Sequence, residues 1–226
     1  MSCRIYFGIF LILISLPFFS CADSETDVVS ASSTVIFDFK DNDSAPSARL
    51  AVFLQVTNEV QRTESITVTN EEIGYIWNIS TPGIFTGMNK KYAFALNLSA
   101  PEGENIPKGS YKVKYSTADG EEDESIFLVN YNEKLLTSTT ENFKEFLTNA
   151  SENIAVYDDS DELLFMGKAK STWKTNAAIL KDYRVADKKR ACFVTPGNTV
   201  ICMLPEQKLK DTKKNNLFLN FSIQNY

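Results

Sequence analysis

The sequence predicts a mainly β fold, a two-sheet sandwich followed by a small α+β part, and three observations carry that prediction. Apolar and polar residues alternate in short runs between Thr34 and Tyr131. Clusters of Gly, Pro, Asn and Asp separate those runs, and apolar residues at helical spacing first occur after residue 132. A period of two marks half-buried strands, and a period of 3.6 marks helices.

The chain opens with Arg4, an apolar run from Ile5 to Phe19, and Ser20-Cys21. A run of that length reads as an export signal over residues 1–20, because a permanent span needs about 20 apolar residues. Phe18-Phe19-Ser20-Cys21 resembles the lipobox of bacterial lipoproteins, those of spirochaetes most of all. The resemblance implies a lipidated Cys21 as the mature N-terminus, an anchor in a bacterial membrane and a place in the cell envelope. Ser20-Cys21-Ala22 also supplies the small residues that an ordinary signal peptidase needs, and cleavage after Ala22 would give a soluble secreted protein instead. Residues 21–33 are polar and small, which predicts a lipid anchor followed by a flexible tether.

The strands follow in order. Val35, Phe37 and Phe39 alternate, as do Leu50, Val52, Leu54 and Val56, with a polar turn containing Pro46 between them. Ile66 and Val68 form a short strand; Ile73, Tyr75, Trp77 and Ile79 form the next, which Thr81-Pro82-Gly83 breaks. Tyr92, Phe94, Leu96 and Leu98 follow. The last pair is Tyr111, Val113 and Tyr115, the hairpin signal Asp119-Gly120, and a return over 125–131. Short strands at this spacing, with no helix among them, point to two packed sheets. Gly109-Ser110-Tyr111-Lys112-Val113-Lys114-Tyr115 followed by Asp119-Gly120 resembles the penultimate strand and final hairpin of immunoglobulin-like and fibronectin-type modules. The resemblance implies an immunoglobulin-like β-sandwich over 34–132. Val113 stands where true immunoglobulin domains carry their second cysteine, so no inter-sheet disulfide is implied.

Residues 133–226 read as a small α+β domain. Ser138-Thr139-Thr140-Glu141 fits a capping box ahead of Phe143, Phe146 and Leu147, predicting a helix over about 139–149. Two strands, 154–157 and 163–167, flank an acidic turn, and Trp173, Ala177, Leu180 and Tyr183 predict a second amphipathic helix. Ala191 to Leu204 is a hairpin around Pro196-Gly197-Asn198. A loop centred on Gly197 sets Cys192 opposite Cys202, at a spacing that a disulfide spans. A two-residue Gly197-Asn198 turn sets Met203 opposite Cys192 and leaves two thiols. An exported chain with this even pair favours the bond. Leu217, Leu219, Phe221 and Ile223 form a final alternating strand, which pairs within the second part or returns to the sandwich.

Chemistry is thinly signalled. The chain has no histidine, and with it go the usual general base and histidine metal sites. Ser171-Thr172-Trp173-Lys174 matches the serine acyl-enzyme pattern S-x-x-K, but no K-T-G accompanies it. The acidic stretches 119–124 and 158–162 lack calcium-loop spacing, and no P-loop, dinucleotide fingerprint or Cys-x-x-Cys occurs, so neither a metal nor a cofactor is expected. Five Asn-x-Ser sites begin at Asn42, Asn78, Asn97, Asn149 and Asn220 and leave a glycosylated secreted protein open. The net charge is −6, and acidic residues outnumber basic ones 17 to 8 over residues 22–132, which argues against a nucleic-acid surface. The expectation is a binding module without catalysis, held to a membrane by its lipid, with a protein or glycan partner of the envelope or host. The alternatives are a soluble secreted protein, or a histidine-free envelope enzyme or enzyme accessory.

Overall fold

A computed structural model describes residues 28–57, 60–87 and 89–210. The export signal 1–20, Cys21 and the final strand 217–223 lie outside the described residues. Among the described residues the fold is mainly β, with one short α-helix.

Thirteen strands are present among the described residues: β1 (Val28–Asp38), β2 (Ser47–Val56), β3 (Thr63–Asn70), β4 (Tyr75–Ile79), β5 (Gly83–Gly87), β6 (Lys90–Leu98), β7 (Gly109–Thr117), β8 (Glu122–Val129), β9 (Ser151–Tyr157), β10 (Leu163–Gly167), β11 (Lys188–Val194), β12 (Val200–Met203) and β13 (Gln207–Lys208). They form a four-stranded sheet in the order β4-β3-β7-β8 and a nine-stranded sheet in the order β10-β9-β11-β12-β1-β2-β6-β5, with β13 added beside β11. Strands from both sides of residue 132 are therefore hydrogen-bonded into one sheet. The join is the parallel pairing of β1 with β12, from Val35 opposite Val200 to Asp38 opposite Met203.

The main core lies between the two sheets. Val35 and Phe37 of β1, Leu50, Val52 and Leu54 of β2, Ile66 and Val68 of β3, and Tyr111, Val113 and Tyr115 of β7 are all essentially inaccessible. These are the period-two positions, because each strand turns alternate side chains to one face. A second core beside β9 packs Val156, Trp173 and Ala186 against Ile179 of the helix α1 (Asn176–Asp182).

Several expectations are corrected. Residues 28–33, expected in the flexible tether, belong to β1 and pair with β2 out to Val56. Small Ser and Ala side chains are no bar to a strand whose backbone partners are in place. The strand expected from residue 73 starts at Tyr75, since residues 71–74 turn and Gly74 adopts φ 74°. β5 was not expected at all. The helix expected over 139–149 is a single 3-10 turn, Phe143–Phe146. Its supposed cap, Ser138, instead donates its hydroxyl back to the Leu135 carbonyl at 2.8 Å. Helix α1 begins only after Thr175, whose hydroxyl accepts from Ala178 N, so Trp173 sits in the preceding turn.

Cys192 and Cys202 do not form the expected disulfide. Cys192 faces Met203 and Phe193 faces Cys202, the register of the Gly197-Asn198 turn, and both cysteines are free. That one-residue step puts the two thiols on opposite faces of the sheet: Cys202 joins the main core, Cys192 the other face.

Candidate functional site

The face of the large sheet that turns away from the main core carries the candidate site. Along β1 it presents Thr34, Ile36 and Asp38; along β2, Arg49, Ala51 and Phe53; along β11, Arg190, Cys192 and Val194. Ile36, Ala51, Ala155, Cys192, Val194 and Met203 are buried together on it, flanked by Phe53, Tyr157 and Ile201. Among the described residues no second sheet covers this face. The sheet curls instead, so that its first and last strands border one trough. Ile84 and Phe85 of β5 and Met166 and Gly167 of β10 line the same cavity, of about 710 Å³.

Phe53, Tyr92, Phe94, Val194 and Ile201 supply the apolar floor and walls, and Ser32, Ser33, Thr34, Asn153 and Asn198 the neutral polar rim. No lining residue is charged. The Phe53 and Phe94 rings lie 6.1 Å apart and tilted, which keeps the floor continuous across the β2–β6 pair. Gly83 makes room for this arrangement, because a Cβ there would collide with the Phe94 ring. The trough mouth exposes large apolar groups: Ile84 is 47%, Phe85 56% and Met166 40% accessible. No described strand pairs with the outer side of β5 or β10. A cavity of this size and lining suits an apolar ligand fixed by a few neutral hydrogen bonds.

A polar cluster lies at the other end of this sheet face, outside the trough lining. Asp38 accepts from Arg190 Nη1 at 2.6 Å and from Arg49 Nε at 3.0 Å, while Arg190 also donates to the carbonyls of Leu204 at 2.6 Å and Met203 at 3.1 Å. This ties β1, β2 and β11 together. Arg190→Met is expected to cost about 2–4 kcal/mol in urea unfolding, because it leaves the Asp38 carboxylate and two carbonyls short of donors in a largely buried place.

The two thiols are chemically quiet. Burial pushes Cys192 up to about 11 and Cys202 up to about 12. Both folded values lie above the unfolded one, so the folded state holds more protons between them, and stability is expected to fall as pH rises from about 9 through 11. Thermal unfolding followed from pH 7 to 11 should show a declining midpoint above pH 9. Alkylating reagents at neutral pH should label neither cysteine until the chain unfolds.

The remaining candidates are not brought together. Ser171, Thr172 and Lys174 lie exposed in the turn before α1. In the acidic stretch 119–124, Asp119 pairs with Arg62, and Glu122 and Glu124 pair with Lys114 and Lys112 at 2.7 and 3.5 Å. In the second, Asp161 pairs with Lys188, and Asp158 accepts from the backbone of Ser160 and Glu162 at 2.9 and 2.8 Å. Among the described residues no three side chains of metal-ligating type converge. Cys21 lies outside the described residues. The trough itself went unseen in the sequence, since its walls come from residues as far apart as Ser32 and Ile201; only the apolar Ile84-Phe85 between two glycines hints at it. No protein-family model matches the chain, and no curated protein matches it.

Proposed function

We propose that this is an exported bacterial envelope protein, anchored by a lipid on Cys21, that works by binding an extended apolar peptide segment of an envelope or host protein in its trough. The observation that carries the reading is the uncharged, aromatic trough with, along each wall, a strand edge that no described strand pairs. Peptides recognised by strand addition take main-chain hydrogen bonds from such an edge and place alternate side chains in an apolar floor. The arrangement serves capture rather than turnover.

The immunoglobulin-like reading of the first part rests on two further features. In the lettering of such sandwiches, β1-β2-β6-β5 takes the places of strands A, B, E and D, and β4-β3-β7-β8 those of C′, C, F and G. Tyr111, two residues before Val113, donates its hydroxyl back to the Pro107 carbonyl at 2.8 Å, as the corner tyrosine of those folds does. The anchor rests on Arg4, the run Ile5–Phe19 and Ser20-Cys21.

The test is a photo-crosslinking side chain in place of Phe85 in cells of the native host. A discrete adduct with another protein is expected there and not from Thr67, on the outer face of the four-stranded sheet. Equal adducts at both positions, or none at Phe85, would sink the reading. Mass analysis of the mature N-terminus decides the anchor: an acylated Cys21 supports it. A free Asp23 would instead favour a soluble secreted protein, the reading to which Ser20 and Ala22 point.

A further inference from the structure

The two walls of the trough run in the same direction, and that governs how a guest strand lies between them. We infer that the trough takes a single extended, uncharged strand in one polarity, antiparallel to β5 and to β10 at once, so that the guest joins the two ends of the curled sheet. This rests on the reading of the trough as a peptide site and gives that peptide its number of strands and its orientation.

Seven pairings lead from β5 to β10. Six are antiparallel: β5 with β6, β6 with β2, β2 with β1, β12 with β11, β11 with β9, and β9 with β10. The seventh, β1 with β12, is parallel. Each antiparallel step reverses the strand sense, and six reversals restore it, so β5 and β10 point the same way. Had β1 and β12 been antiparallel, the walls would run in opposite senses, and any single guest would be parallel to one of them. With the walls alike, one strand is antiparallel to both, the more stable kind of pairing. A two-stranded guest would leave one junction parallel.

The walls also set the guest's length and character. β5 meets β6 at five successive positions, Gly83 to Gly87, with no shift of register. It contains neither a charge nor a proline, the devices that commonly keep an edge from pairing. β10 has a register shift between Leu163 and Phe165, so its regular part is shorter. β5 is therefore the main template, and five guest residues span about 17 Å along it. Every second guest side chain turns toward the floor of Phe53 and Phe94, where no lining residue offers a countercharge, so those side chains are apolar. In the antiparallel orientation the guest's N-terminal end lies beside Gly87 and Gly167, and its C-terminal end beside Gly83 and Leu163.

The probe is a pool of synthetic peptides about seven residues long, capped at both ends, in which Val, Ile, Leu or Phe alternates with Thr, Ser or Asn. A photoreactive diazirine is placed on either the first or the last residue. The pool is illuminated with the purified full chain, with and without an excess of unlabelled pool, and the adducts are mapped. The first-residue label is expected to mark 86–87 and 166–167 about tenfold more than the last-residue label does, equivalent to about 1.4 kcal/mol between the two orientations. The preference should reverse at 83–84 and 163–164, and the unlabelled pool should abolish both sets. The opposite polarity, equal marking by both labels, adducts along one wall only, or no adduct that the unlabelled pool removes would each overturn the inference. The peptide-site reading is decided separately: discrete capture of a protein at Phe85 in cells keeps it even then, and failure of that capture removes it.

Discussion

Replacing Tyr111 by alanine is expected to cost about 3–5 kcal/mol, a large part of the roughly 5–15 kcal/mol that holds a typical domain folded. The side chain is fully buried between the sheets. Its ring stacks on Phe127 at 5.5 Å and on Trp77 at 6.1 Å, so truncation opens a cavity with aromatic walls on two sides. The hydroxyl makes a separate contribution through its bond to the Pro107 carbonyl. Burial pushes its pKa up to about 12, so the group remains a donor throughout the neutral range. Tyr111→Phe removes that bond alone and should cost only about 0.5–1.5 kcal/mol. Urea unfolding of the two variants separates packing from the corner hydrogen bond. An alanine variant within 1 kcal/mol of the parent, with a phenylalanine variant as bad or worse, would mean that the corner and not the core holds β7 in place.

The strands easiest to read are those with one face in the core and one in water, because only they alternate cleanly. The stretch 50–56 became β2, 92–98 became β6 and 111–115 became β7. Where one of these conditions failed, the pattern failed too. β5 is an edge strand of five residues with a glycine at each end and exposed Ile84 and Phe85, so nothing distinguishes it from a loop. The first half of β1 is built of Ser and Ala and is held by pairing with β2, a long-range cause absent from its own residues. The 139–149 stretch has helical spacing but too short a run. Phe143 and Phe146, three apart, serve a 3-10 turn equally well. The hairpin at 191–204 was visible, yet the fate of its cysteines depended on a single residue of register. The trough is the extreme case. It exists because a nine-stranded sheet curls until β5 and β10 share one cavity, and no local stretch of sequence carries that information.

Phe143→Ala is expected to cost about 3–5 kcal/mol and to weaken both halves of the chain at once. The residue is fully buried in the 3-10 turn, with Phe39 at 5.3 Å on one side and Phe193 at 5.2 Å on the other. Phe39 directly follows β1, and Phe193 belongs to β11, so the ring spans the place where strands from before and after residue 132 join. The two tryptophans of the chain make the effect observable in each half. Trp77 is in β4 and stacks near Tyr111, while Trp173 packs on Phe165 at 5.0 Å and donates its indole N–H to Asp182 at 2.8 Å. In Trp77→Phe and Trp173→Phe backgrounds, fluorescence therefore follows one half at a time. Because β1 pairs with both β2 and β12, the same destabilisation should reach both reporters, and their urea midpoints should coincide and fall together when Phe143 is truncated. If the Trp173 midpoint falls while that of Trp77 stays in place, the second part unfolds on its own, and the pairing of β1 with β12 is a docking contact between two separately stable parts.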